Sequence, residues 1–324
     1  MWAMLLYSLP FVIVVIANLG VRRRGCRLLT YMLLGLLHTA TLLVGLVSLA
    51  VAYSRRLLTE APPSLLQQLN SGSLGLMLVV TAVLGFVSLA PSARRSLAKS
   101  ISIDPTSPVH ATALSFLIYL AIPSAGLLLI GQDLIRISME AASLAPETVT
   151  LGQAFFLLIA VCGVGLGIRR SGRETLARLG LRALKPHHLV LTAVVVGAFL
   201  ILDYATAWLW HRLWPASYLE VKMSTQQLFA PFATPSSALA MALSAGIGEE
   251  ILFRGALQPR FRIPVTAAVF ALGHVQYALS PAVLEIFIVG LILGWVRQKS
   301  NTTTCIAIHA TYNFVDVLLL PFFP

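Results

Sequence analysis

Charge is scarce in this chain. Only 11% of its 324 residues are Asp, Glu, Lys or Arg, and just 12 are acidic, against 58% apolar residues and a mean hydropathy of +0.86. That shortage excludes a soluble globular domain, in which roughly a quarter of residues carry charge. It leaves a polytopic membrane protein. Cysteine is scarcer still. Cys26, Cys162 and Cys305 are odd in number and widely spaced, with no CxxC, which argues against a disulfide framework or a thiolate metal site and leaves small apolar fillers. A basic stripe with interleaved aromatics is also missing, so the formal charge of +11 does not mark a nucleic-acid binder. The Lys and Arg residues sit in short clusters between apolar runs and read as topology signals. The first apolar run has no basic segment before it and is followed by "RRRGCR", so an anchor is expected there rather than a cleaved signal peptide.

What is present is apolar length. A spanning helix needs about 20 mainly apolar residues, and windows of that kind lie near 2–20, 28–53, 73–91, 110–131, 150–168, 189–210, 238–257, 264–279, 281–296 and 302–320. The eighth and ninth are short and separated by little more than Ser280-Pro281. The expected fold is therefore all-α, a membrane bundle of about ten transmembrane helices. With an outside N-terminus, 18 of the 23 basic residues fall on inner loops or at the inner end of the seventh helix. The largest inner group is Arg169, Arg170, Arg173, Arg178, Arg182 and Lys185. The positive-inside rule then gives N-out and C-out ends, with the acidic loop from Asp133 to Glu147 outside.

The basic connector "RRSGRETLARLGLRALKPHH" at 169–188 divides the chain by chemistry. Residues 1–168 form an N-terminal transmembrane region with almost no ionisable group at membrane depth. His38 and His110 stand alone there and read as packing and interface residues. Residues 189–324 accumulate Asp203, Glu249, Glu250, His274, Glu285, His309 and Asp316 within apolar segments. Ionisable groups at that depth are costly and mark functional sites by default.

Glu250 and Arg254 are four apart on one helical face, so a local ion pair is expected. Glu249 is offset by about 100° and has no such partner, so its charge must be met from another helix. In "VFALGH" Phe270 and His274 share a face, and in "CIAIHATYNFVD" His309, Asn313 and Asp316 align at i, i+4 and i+7. Counted from the helix ends, Glu249, His274 and His309 share a depth of roughly 10–15 Å below the inner edge of the hydrocarbon. A carboxylate, two imidazoles and an amide at one depth suit hydrolysis. Glu249 can take a proton from water oriented by His274, while His309 and Asn313 can donate to an oxyanion. Ser244 and Cys305 lie nearby, but there is no GxSxG, and covalent catalysis is disfavoured.

"EEILFR", "FALGH" and "HATYN" resemble, in order and on successive segments, the EExxxR, FxxxH and HxxxN motifs of the CPBP family, which includes the Rce1-type CAAX prenyl endopeptidases. The resemblance covers roughly 185–320 and leaves 1–168 unexplained. It implies a glutamate-dependent, metal-independent intramembrane protease in which Glu249 is the base with His274. It further implies that Glu250, Arg254 and Phe270 support the site and that His309 and Asn313 bind the oxyanion.

Other readings stand beside this one. Two histidines and a glutamate form a conceivable zinc set, but HExxH is absent and the resemblance points to metal-free catalysis, so no cofactor is expected. A buried Glu-Arg pair with histidines nearby could instead lock a non-catalytic membrane scaffold. Asp203, Glu285 and Asp316 could line a proton or cation path, although no inverted repeat is visible. The expected partners are the lipid bilayer and a membrane-anchored protein or peptide substrate, with no nucleic acid, and the expected location is a bacterial inner membrane.

Overall fold

The computed structural model describes residues 2–57, 71–130 and 146–319, so most of the acidic stretch from Asp133 to Glu147 lies outside the described residues. Among those described, every regular element is helical: α1 (Trp2–Gly20), α2 (Arg24–Leu57), α3 (Ser71–Leu89), α4 (Pro91–Leu97), α5 (Pro108–Ile130), α6 (Pro146–Val164), α7 (Gly172–Leu179), α8 (Pro186–Leu213), α9 (Pro215–Phe229), α10 (Pro235–Glu250), α11 (Gln258–Leu272), α12 (Pro281–Lys299) and α13 (Thr302–Leu319). A π-helix, Ile251–Leu257, joins α10 to α11 without a break.

Proline marks the starts. Helices α4, α5, α6, α8, α9, α10 and α12 all begin with it, because its missing N–H falls among donors that have no intrahelical partner there and its fixed φ suits a first turn. The connector helix α7 uses another device. Ser171 accepts from the Glu174 amide while Glu174 reaches back to the Ser171 amide, and Gly180 closes the helix at φ 71°.

Seven of the described helices are long and apolar enough to cross a membrane: α2, α3, α5, α6, α8, α12 and the run Pro235–Leu272. The chain is thus an integral, multi-pass membrane protein. The seventh apolar window and the eighth as far as Leu272 belong to that single run, which bends where Arg262 adopts φ 66° and ψ 169° just before Pro264. The exposed faces carry large side chains such as Leu36, Val47, Val190, Val194 and Ile201, which lipid favours and water would penalise.

The helices form two compact units. One is built mainly from α2, α3, α4 and α5. Gly45 and Gly75 let α2 and α3 touch backbone to backbone, since a Cβ on Gly75 would fall 2.8 Å from the Gly45 carbonyl oxygen. His38 is fully buried beside Gly85, 3.1 Å from the Tyr119 hydroxyl, which also contacts Thr41 at 2.7 Å. It is a packing residue with its polar atoms satisfied. His110 accepts from the Asp104 amide and helps shape the turn that leads into α5.

The other unit gathers residues 1–11, 139–271 and 280–324. One of its cores joins Val195, Val196 and Phe199 of α8, Val289, Leu293 and Val296 of α12, and Cys305 and Ile308 of α13. Cys305 sits there as an apolar filler. A second core packs Met241 and Ala245 of α10 against Val317 of α13 and Phe232. The unit includes α6, whereas the composition change in the sequence lies after that helix.

Candidate active site

The two adjacent glutamates lie at the C-terminal end of α10, immediately before the π-helix. Glycines on either side set their surroundings. A Cβ on Gly246 would sit 3.1 Å from Ala310 of α13, and one on Gly248 would sit 2.5 Å from the side-chain oxygen of Gln153 on α6. The stretch "GIGEE" therefore lets two different helices close onto α10 at the level of the carboxylates.

Glu250 is fully buried. Its Oε1 is 2.8 Å from His309 Nδ1, and its Oε2 is 3.2 Å from Arg254 Nε. The expected i, i+4 ion pair is present, at ion-pair distance but without hydrogen-bond alignment. Arg254 is also buried, with its guanidinium centre 4.3 Å from the ring centroid of Phe270. That is a cation–π contact. Phe270 in turn meets the His309 ring edge-on at 6.0 Å, so one aromatic ring supports both partners of Glu250.

Glu249 has a different environment. It is half-buried, and its Oε1 accepts a 2.8 Å hydrogen bond from the Gln153 amide. Its Oε2 is buried and has no hydrogen-bond partner among the described residues. The sequence expectation that another helix must serve Glu249 is met by α6, through a neutral amide rather than an imidazole.

The remaining motif residues fall as follows. Asn313 lies one turn beyond His309 on α13 and is half-buried. His274 does not extend the Phe270 face of a helix. Helix α11 ends at Leu272, and His274 has φ −94° and ψ 52° at the start of the short 3₁₀ turn Val275–Tyr277, where its ring stacks with that of Tyr277. The spacing "FALGH" thus spans a helix end. By contacts, residues 272–279 group with the unit of α2, α3 and α5, so His274 belongs to that unit. Asp203 lies close enough to Asp316 to interact with it, and Glu285 close enough to Thr206. This group on α8, α12 and α13 is distinct from the glutamate pair, because Asp316 lies seven residues, about 10 Å, along α13 from His309.

Three contributors were not foreseen from the sequence. Gln153 is one. The π-helix is the second: it widens the turn through "ILFRGAL", and such segments recur at functional sites. The third is Arg178 of the connector, whose guanidinium donates to the Gly255 and Ala256 carbonyls at 2.9 and 3.2 Å. It satisfies carbonyls at the end of the π-helix. Burial, reinforced by Arg260, Arg170, Arg297 and Arg169, lowers its pKa to about 10, which still leaves it cationic at neutral pH. The same connector is tied to α13, since Thr302 donates to the Leu179 and Gly180 carbonyls. Among the described residues no cluster of three or more His, Cys, Asp or Glu is arranged to hold a metal ion.

Residues 231–315 match a protein family described as type II CAAX prenyl endopeptidase Rce1-like. This region of the chain is Rce1-like. The match covers α10, the π-helix, α11, α12 and most of α13, and so includes all three motifs and both glutamates. It stops short of α6 and α7, which supply Gln153 and Arg178. No curated protein and no solved structure matches the chain. An Rce1-like region in a multi-pass membrane protein implies CAAX-type intramembrane protease activity on a membrane-associated peptide.

Proposed function

We infer that this protein is an endopeptidase that hydrolyses a membrane-anchored protein or peptide near the cytoplasmic face, using water activated by Glu249. The observation that carries this reading is the contrast between the two glutamates. Glu250 is occupied by Arg254 and His309, whereas among the described residues Glu249 meets no cation and keeps one carboxylate oxygen without a partner. An oxygen of that kind can accept a proton from water.

Glu250 then acts indirectly. Its bond to Nδ1 fixes the His309 ring and leaves Nε2 as the free nitrogen. With Nδ1–H donating to Glu250, Nε2 can donate to a developing oxyanion when the ring carries its second proton, and Asn313 is the second donor. His274 is assigned to orient the water on the strength of the FxxxH motif. No metal takes part in this scheme. The host membrane in this reading is a bacterial inner membrane.

The test uses purified protein in liposomes with two reporters that share an anchored peptide, one ending in a prenylated Cys-aliphatic-aliphatic-X sequence and one without the prenyl group. Cleavage of either, retained in Ser244→Ala and Cys305→Ala variants, supports a water mechanism. Loss of cleavage in the Ser244→Ala or Cys305→Ala variant would replace it with covalent catalysis. A folded protein that cleaves neither reporter but binds one of them favours the scaffold reading.

A further inference from the structure

The hydrogen bond that holds Glu249 comes from outside the Rce1-like region. Gln153 stands on α6, 96 residues earlier in the chain, and its amide nitrogen is 2.8 Å from Glu249 Oε1. The contact is built in from both sides. Gly248 has no side chain, so the Gln153 backbone and amide approach it closely, and a Cβ there would fall 2.6 Å from the Gln153 carbonyl oxygen. Glu249 Oε2, the other carboxylate oxygen, is buried and has no partner among the described residues.

Resting on the reading of Glu249 as the base, we propose that Gln153 is the positioning residue of that base. Its N–H donates to one carboxylate oxygen, fixes the carboxylate plane and directs the other oxygen to water. A neutral donor does this without holding the carboxylate in an ion pair, which a cation at that position would do. This explains why the two glutamates, one residue apart, are served by different chemistry.

The charged and titratable groups on the elements packed around Glu249 are Glu250 and Arg254 on its own helix and the π-helix, and Cys305, His309, Tyr312 and Asp316 on α13. Helix α6 carries only Glu147, at its far N-terminus, and Cys162 near its other end, and the 3₁₀ turn Ala230–Phe232 carries none. Gln153 is therefore the polar side chain through which α6 acts on the base.

The experiment compares the full-length protein with Gln153→Met, which keeps length and loses the donor, and Gln153→Glu, which keeps shape and adds a carboxyl. Steady-state cleavage is measured across pH, with Glu249→Gln as control. In Gln153→Met the acid limb of the kcat profile should move up by roughly one pH unit, the size expected for one hydrogen bond to a charged group. KM should stay unchanged and kcat should recover at high pH. Gln153→Glu should move the limb further, because two facing carboxyls share a proton. A wild-type profile in both variants, or a loss of kcat equal at every pH, overturns the proposal and leaves Gln153 as a packing residue. A second readout needs no substrate. A hydrophobic carbodiimide reacts with protonated carboxyls, so labelling of Glu249, followed by mass spectrometry, should be several-fold faster in Gln153→Met than in wild type. Equal labelling overturns the proposal. If Glu249→Gln itself retains full cleavage, the function reading fails; if it is inactive while the Gln153 variants behave as wild type, only this inference fails.

Discussion

Replacing Glu250 with Gln removes a charge from a fully buried position. Glu250 is 0% and Arg254 1% exposed, and two of the three guanidinium nitrogens, Nη1 and Nη2, have no hydrogen-bond partner among the described residues. In the variant the cation stays buried beside the rings of Phe270 and Phe253. Breaking a buried pair by removing one member costs about 3–5 kcal/mol. The lower end applies here, because a glutamine carbonyl can keep the bond from His309 Nδ1. A loss of about 3 kcal/mol is a roughly 100-fold shift in the folding equilibrium and a large share of a typical stability of 5–15 kcal/mol. In a detergent thermal melt this should appear as a drop of roughly 5–10 °C, with reduced expression. The double variant Glu250→Gln/Arg254→Met removes the stranded cation and should recover most of that loss, since well-packed replacements of a buried pair are close to neutral. A Glu250→Gln protein as stable as wild type, or a double variant no better than the single one, would refute the buried-pair argument.

Three further outcomes follow from the same geometry. Gly248→Ala places a Cβ within 2.5 Å of the Gln153 side chain and should push α6 away from Glu249, lowering activity more than Gly246→Ala, whose Cβ meets Ala310 at 3.1 Å; assaying cleavage by both variants checks the order. A strong chelator should leave cleavage in detergent intact and the purified protein should carry no stoichiometric zinc, whereas a loss that zinc restores would make the histidines ligands. A fragment starting at Pro146 keeps Gln153 and should cleave a reporter peptide more efficiently than one starting near Gly172. Equal activity of the two would show that α6 is dispensable.

The parts of the fold legible in sequence were those written in local periodicity. Apolar length announced the helices, and proline marked where many of them begin. The pairing of Glu250 with Arg254 followed from their spacing, and so did the isolation of Glu249. What was hidden depended on partners far along the chain or on departures from the α-helix. Gln153 is an ordinary polar residue in an apolar run, and nothing nearby links it to a glutamate 96 residues away. The nearest sequence signal was the "GIG" before the glutamates, whose missing side chains signal close approach by neighbouring helices. The π-helix over Ile251–Leu257 carries no glycine or proline signature strong enough to foretell it. The end of α11 at Leu272 broke the i, i+4 reading of Phe270 and His274, because periodicity describes a face only while the helix lasts. The change in ionisable content after residue 168 was real, but it did not coincide with the packing, since α6 lies in the compact unit with the motif helices.

The most direct test of the central claim is the turnover of Glu249→Gln, measured beside its thermal stability. This substitution keeps size, can keep a hydrogen bond to Gln153 and removes the base. The account predicts a melting temperature within a degree or two of wild type and cleavage reduced by at least about 100-fold, the scale of general-base catalysis. Full activity in a stable Glu249→Gln protein would contradict it.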